Sequence, residues 1–230
     1  MQQEPIFHKD DRYKRTSFRA FNVRLPHRFD AMWWHERYNT KQWDREILTA
    51  LSPNLASLHI LDVGCATGRL LHALAEAGAR YLYGADLAPA MVEVARRKLH
   101  PQYPTIELRV ADAEDALPWT DEMFDVVILT ATFHHFYRPV EALGEIHRVL
   151  RSEGRIIIID PWFTPILRHV INGYLRLFHH DGDCRFYSQQ KTVQLLRMSK
   201  FPTILCNKRI PRSSYLIIGG KKMPSSYQSL

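Results

Sequence analysis

From Leu58 onward the chain alternates short, continuous apolar runs with stretches in which apolar residues recur every three or four positions. Runs such as Val126-Val127-Ile128-Leu129 and Ile156-Ile157-Ile158-Ile159 have no polar face, so they predict strands buried on both sides. Strands are expected at Leu58–Val63, Arg80–Asp86, Thr105–Val110, Phe124–Thr130 and Arg155–Asp160, and helices at Gly68–Ala77, Pro89–Leu99 and Pro139–Leu150. Pro89 and Pro139 suit first helical turns, where an N–H has no intrahelical partner to lose. Val140, Leu143, Ile146 and Val149 form an apolar stripe, with Glu141 and Glu145 as solvated charges on the other side. This alternation predicts an α/β fold: a Rossmann-like, doubly wound sheet, mostly parallel. Ile166–Phe178 and Ser188–Phe201 read as further helices, and Thr203–Lys208 and Ser213–Gly219 as an antiparallel C-terminal strand pair.

Phe29–Leu51 is helical in period and rich in aromatics, which predicts an N-terminal helical cap over the mouth of the core. Met1 to about Leu25 has no clear period and reads as a flexible arm. The expected organisation is a basic arm and helical lid over 1–51 and a ligand-binding domain over 52–230, with a lid insertion at about 162–187.

A chain of 230 residues fits one α/β domain with an appendage and leaves no room for a second full domain. Lys and Arg outnumber Asp and Glu by 31 to 24, and the excess gathers at the two ends, in Lys9–Arg28 and Lys208–Lys222. Such ends suit an acidic substrate, RNA or a membrane surface, but a solvated basic periphery is the plainer reading. The three cysteines, Cys65, Cys184 and Cys206, match no disulfide or zinc spacing, so a reducing cytoplasm is the expected compartment. No apolar run approaches the ~20 residues of a bilayer span.

The chemistry gathers where strands end. Ile60-Leu61-Asp62-Val63 breaks into Gly64-Cys65-Ala66-Thr67-Gly68 and restarts as a helix with free N–H groups. Asp86 follows Gly64 by 22 residues at the end of the next strand, where a carboxylate can accept from ribose hydroxyls. The third glycine of a dinucleotide fingerprint is missing, since Leu70 and Leu71 follow Gly68 directly, so a nucleoside without a pyrophosphate fits better. After the third strand, the Asp112 carboxylate and a following backbone N–H can meet an adenine edge.

With these residues in order, and with Leu117-Pro118-Trp119 before Phe124-Asp125-Val126-Val127, the chain resembles the class I S-adenosylmethionine-dependent methyltransferases, in particular the type 11 small-molecule group. The resemblance covers Leu58 to Pro161. It implies that S-adenosylmethionine is the cofactor, that the backbone of Gly64, Cys65, Ala66 and Gly68 cradles its methionine half, and that Asp62 orders this loop. It further implies that Asp86 and Leu87 hold the ribose side, Asp112 and Ala113 the adenine, Met91 packs near the adenosine, and the Thr130 carbonyl receives the methionine ammonium. Ala66 departs from the family, which commonly has glycine there.

His134 and His135 follow the fourth strand, where imidazole can accept a proton from an acceptor hydroxyl or amine; the alternative is local bonding at a helix start. Trp33, Trp34, Tyr38, Phe178 and Tyr187 are candidate substrate-lining residues. No metal is assigned: His179 and His180 beside Asp181 or Asp183 lack further ligand spacing. The function expected is methyl transfer to an oxygen, nitrogen or carbon of a small molecule, leaving S-adenosylhomocysteine. A nucleic-acid methyltransferase ranks behind it, because Asp160-Pro161-Trp162-Phe163 follows the fifth strand and not the fourth. A non-catalytic methyltransferase-like subunit and a nicotinamide-dependent oxidoreductase share the architecture, and fold does not separate them. The oligomeric state is open.

Overall fold

The computed structural model describes residues 12–26, 29–31, 40–178, 183–211 and 214–221. Trp33, Trp34, Tyr38 and the stretch His179-His180-Asp181 lie outside the described residues. Seven strands are formed: β1 (His59–Val63), β2 (Tyr81–Asp86), β3 (Glu107–Val110), β4 (Phe124–Thr130), β5 (Leu150–Pro161), β6 (Thr203–Ile210) and β7 (Ser214–Gly220). They make one sheet in the order β3-β2-β1-β4-β5-β7-β6, parallel from β3 to β5 and antiparallel across β5-β7-β6. The doubly wound, mostly parallel sheet and its antiparallel C-terminal pair are therefore as expected.

Helices α3 (Arg69–Glu76), α4 (Pro89–Leu99) and α5 (Pro139–Val149) make the crossovers, and α6 (Pro165–Phe178) and α7 (Gln189–Met198) precede the antiparallel pair. The strand order reverses between β1 and β4. In such sheets that switch point opens a crevice beyond the carboxyl ends of the strands, where ligands bind. The apolar runs feed both sides of the sheet by alternation. Val127, Leu129, Ile156 and Ile158 pack toward Leu143, Ile146 and Leu196, while Val126, Ile128, Ile157 and Ile159 pack toward Ile47, Leu71 and Leu99.

Four local readings change, the smallest at Val140, which is exposed while Leu143, Ile146 and Val149 of its stripe are buried. β5 begins at Leu150, because β4 already pairs there (Phe124↔Leu150) before a bulge between Phe124 and Val126. Glu145 is not a solvated charge: it accepts from the Leu117 N–H at 3.0 Å and holds Arg148 at 2.8 Å, and Arg148 also donates to the carbonyls of Leu117 and Trp119. The largest change is at the N-terminus, where Arg12–Arg19 is helix α1 and Ala20–Arg24 continues as a π-helical turn, in place of a flexible arm to Leu25. Phe18 and Ala20 are buried, Lys14 is buried against Asp112 and Glu114, and Asn22 Oδ1 accepts the Ala90 N–H at 2.9 Å. The basic residues around these few buried ones hide the period in the sequence. Helix α2 (Thr40–Leu51) completes the cap with Trp43, Ile47 and Leu51 buried. No helix among the described residues is long and apolar enough to cross a membrane.

Gly64 adopts φ +76°, and a Cβ there would lie 2.4 Å from Thr132 Oγ1; Gly78 adopts φ +99° with open space around it. Gly64→Ala combines a strained dihedral with overpacking and is expected to lose about 2–4 kcal/mol, whereas Gly78→Ala meets the dihedral term alone, about 1–2 kcal/mol. Urea unfolding followed by circular dichroism measures both, and equal losses at the two positions would contradict this account of the turn.

Candidate active site

The site is built from the turn after β1. Gly64 brings the backbone against Thr132 in the loop after β4, and Gly68, at φ +77°, brings the start of α3 within 2.6 Å of Leu99 Cδ1 for any added Cβ. Ala66 sits between them at φ +46°, so the departure from glycine keeps a left-handed backbone and adds a methyl group. Backbone bonds then lace this turn to the end of β2. The N–H groups of Gly64 and Cys65 donate to the Ala85 carbonyl at 2.8 and 3.0 Å. Those of Ala66 and Ala88 donate to the two Asp86 carboxylate oxygens at 2.9 and 2.8 Å.

Charge is unevenly met on this floor. Burial pushes the Asp62 carboxyl up to about 7, with Arg69 opposing and Asp86 and Asp44 adding to the rise. Asp62 Oδ1 is buried with no hydrogen-bond partner among the described residues. Arg69 does not satisfy it, because its guanidinium is bonded to both oxygens of Asp44, at 2.8 and 2.6 Å. Burial also raises Asp86, to about 6, against the two N–H bonds it accepts. A buried acid short of a partner, Asp62, is what a ligand carrying a cation would satisfy, and the half-buried Asp86 beside it keeps lone pairs for hydroxyl donors, so the floor fits S-adenosylmethionine. Burial pushes the Cys65 thiol well above its ordinary range, which leaves it an inert packing group.

A cavity of about 350 Å³ opens over this floor. Of the residues singled out in the sequence, Asp62, Gly64, Cys65, Ala66, Asp86, Leu87, Asp112, Ala113, Thr130, His134 and His135 line it. Gly68 shapes the turn from behind. Met91 is fully buried outside the lining, Phe178 is 60 % exposed, and Tyr187 packs on Phe133 with ring centroids 5.2 Å apart, so none of these three is brought to the cavity. The aromatic wall comes instead from Phe21, Phe29, Trp43, Phe136 and Phe186. Lys14 closes the Asp112 side. Its ammonium lies 2.5 Å from Asp112 and 3.0 Å from Glu114; burial lowers its pKa, but the two carboxylates hold it above the ordinary lysine value.

Across the cavity, His134 and His135 occupy a short 3₁₀ turn, Phe133–His135. His134 Nδ1 is 2.9 Å from Asp160 Oδ1 at the end of β5, and its Nε2 is 3.6 Å from Asp183. Burial works against an imidazolium here, yet Asp160 and Asp183 together hold His134 well above its ordinary pKa. The Cys184 and Arg185 N–H groups donate to the His134 carbonyl, and Phe186 stacks on its ring at 4.7 Å. His134, His135 and Asp183 each offer a ligand atom within 4.8 Å of the others, a placement that can hold a metal ion. A proton on His134 satisfies the same group of charges.

Residues 61–158 match the model of the methyltransferase domain family. A demethylmenaquinone methyltransferase of Symbiobacterium thermophilum is 30 % identical over 178 residues, covering 75 % of this chain and 68 % of that one. A protein of the same name from Clavibacter sepedonicus is 36 % identical over 136 residues, covering 59 % of this chain and 54 % of its own. The chain spans about half the length of several curated relatives it matches. The crystal structure of a magnesium protoporphyrin IX methyltransferase from Synechocystis, with bound S-adenosylhomocysteine, superposes with a TM-score of 0.71 at 20 % identity, covering 91 % of this chain and all of that one, which shows the shared fold. The chain belongs to the class I S-adenosylmethionine-dependent methyltransferases.

Sequence reasoning missed Lys14 and Asp160. The signal for Asp160 was present: an acid directly after the run Ile156–Ile159, at the same sheet edge as His134.

Asp62 yields a test with two readouts. Its ordinary carboxyl value is 3.8 and its folded value about 7, so between these the folded chain holds a proton that the unfolded chain releases, and stability falls as pH rises through that window. Asp62→Asn removes the titration. The ligand-free variant is expected to melt higher than the wild type at pH 8 and to bind S-adenosylhomocysteine about tenfold or more weaker, the loss of a charged hydrogen-bond acceptor. Thermal melts and calorimetry check both; unchanged affinity, or a lower melting point, would contradict the role given to Asp62.

Proposed function

We propose that the chain methylates a small, apolar, ring-hydroxylated acceptor, at the hydroxyl oxygen or at a ring carbon made nucleophilic when that hydroxyl loses its proton. The observation that carries this reading is the buried His134–Asp160 pair on the aromatic side of the cavity, at 2.9 Å. When bound, S-adenosylmethionine supplies a methyl carbon on a positively charged sulfur. Asp62, Asp86 and the Gly64–Gly68 backbone would hold it, with Leu87, Asp112, Ala113 and the Thr130 carbonyl around its nucleoside and ammonium. Asp112 would serve the adenine while shared with Lys14.

The remaining chemistry belongs to the chain. Phe21, Phe136 and Phe186 enclose an apolar ring and exclude water, and alignment of nucleophile and methyl carbon supplies most of the acceleration. Asp160 fixes the His134 ring and its Nδ1 proton, which leaves Nε2 to take the acceptor proton, and the resulting imidazolium is stabilised by both aspartates. His135, beside Asp183 at 3.5 Å and edge-on to Phe21, closes the wall. Several relatives are named demethylmenaquinone methyltransferase, and the quinone in that name supports a ring acceptor.

Mass spectrometry of reactions with a reduced naphthoquinone, a catechol and an RNA oligonucleotide tests the class of acceptor. Methylation of the hydroxylated rings alone is expected, and methylation of the RNA alone would overturn the reading. The pH profile tests the base. Because Asp160 raises His134, the neutral imidazole appears only as pH rises above the ordinary histidine range, so turnover should climb across that alkaline window. His134→Ala is expected to lower turnover by roughly a hundredfold or more with S-adenosylhomocysteine affinity little changed. Asp160→Asn should shift the rise to lower pH and lower its plateau. Wild-type-like profiles in both variants would remove the pair from the chemistry.

A further inference from the structure

Helix α6 presents a continuous apolar face to solvent. Ile166 is 81 % exposed, Leu177 74 %, Val170 64 % and Phe178 60 %, with Tyr174 at 50 % and Leu167 at 48 %. Positions 166, 170, 174 and 177 follow one another by four, four and three residues, which places them on one side of the helix. The opposite side is anchored. Leu175 is buried, and the Asn172 side chain bonds both the carbonyl and the N–H of Phe186, at 3.0 and 2.9 Å. Since Phe186 stacks on His134, the exposed helix is fastened directly beside the candidate active site.

An apolar stripe of this length in water marks a contact surface, and its borders say with what. The cations of the helix are Arg176, exposed on one flank of the stripe, and Arg168, half-exposed. Between Asp160 and Asp181 the sequence holds no acidic residue, and the chain as a whole carries seven excess positive charges. A second copy of the chain would set like cations near one another across a two-fold contact, with no acid on the helix to meet them. An anionic bilayer satisfies both features, taking the stripe into the headgroup boundary and the cations against its phosphates.

We infer that α6 is an interfacial helix that seats the protein on an anionic lipid surface, beside the cavity in which the acceptor reacts. The inference goes beyond the proposed methyl transfer and stands without it.

Co-sedimentation of the full chain with large unilamellar vesicles tests it. Vesicles of mixed phosphatidylglycerol and phosphatidylcholine are expected to carry the protein down, and vesicles of phosphatidylcholine alone to carry much less. The double variant Val170→Glu/Leu177→Glu should bind the anionic vesicles about tenfold less, since it loses apolar contact and gains repulsion. Circular dichroism and the thermal shift given by S-adenosylhomocysteine show that the variant is folded, and also read the methyltransferase site independently of lipid. Three results would overturn the inference: no sedimentation with anionic vesicles, sedimentation equal in the folded variant and the wild type, or a dimer by light scattering that the variant abolishes while neither protein binds vesicles. If the variant is unfolded, Val170→Ser/Leu177→Ser replaces it, with the same expectations in weaker form.

Discussion

Two backbone N–H groups, from Ala66 in the turn after β1 and Ala88 after β2, converge on the carboxylate of Asp86. The loops beyond two neighbouring strands are thereby fixed to each other through one side chain. The turn can reach Asp86 only because Gly64 and Gly68 take left-handed dihedrals in places where a Cβ would strike Thr132 and Leu99. The cavity floor follows from that closure. Asp62 is left buried behind the turn with an oxygen that no described group satisfies, and its proton affinity rises accordingly. A fold that keeps an unmet acid at a sheet edge gives up stability there.

The wall opposite is set by the same sheet through different strands. β4 and β5 pair in register from Val126↔Arg155 to Thr130↔Ile159, so His134 in the turn after β4 and Asp160 in the last residues of β5 come within hydrogen-bond distance. The cap adds the third side. Lys14 enters from α1 as a buried cation on Asp112 and Glu114. Desolvation offsets much of the attraction in a buried ion pair, so this contact specifies where α1 sits more than it adds to stability. Removing the lysine would leave Asp112 without its cation and Glu114 with only Arg138, 3.8 Å away.

How much of this was legible in the sequence depends on the range of the interaction. The parallel sheet and its antiparallel end were readable because Val126–Leu129 and Ile156–Ile159 are apolar on both faces, a local pattern that admits one burial. The turn and its acids were readable because glycine spacing and the position of Asp86 are also local. Contacts made across long separations were not: Lys14 meets Asp112 over 98 residues and His134 meets Asp160 over 26. Helix α1 was misread for a related reason, since its few buried residues lie among basic ones and its period is diluted. Phe178 and Tyr187 look alike as aromatic lid candidates in sequence, yet one faces solvent and the other the core, because α6 rotates its apolar stripe outward while Asn172 pins Phe186 inward.

The central claim is that the floor made by Asp62, Asp86 and the glycine turn takes the nucleoside and ammonium of S-adenosylmethionine in preference to a dinucleotide. Calorimetric titration of the purified chain with S-adenosylhomocysteine and, separately, with NAD measures this most directly. Saturable binding of S-adenosylhomocysteine with no heat from NAD is the result the account predicts. Tighter binding of NAD than of S-adenosylhomocysteine would contradict it.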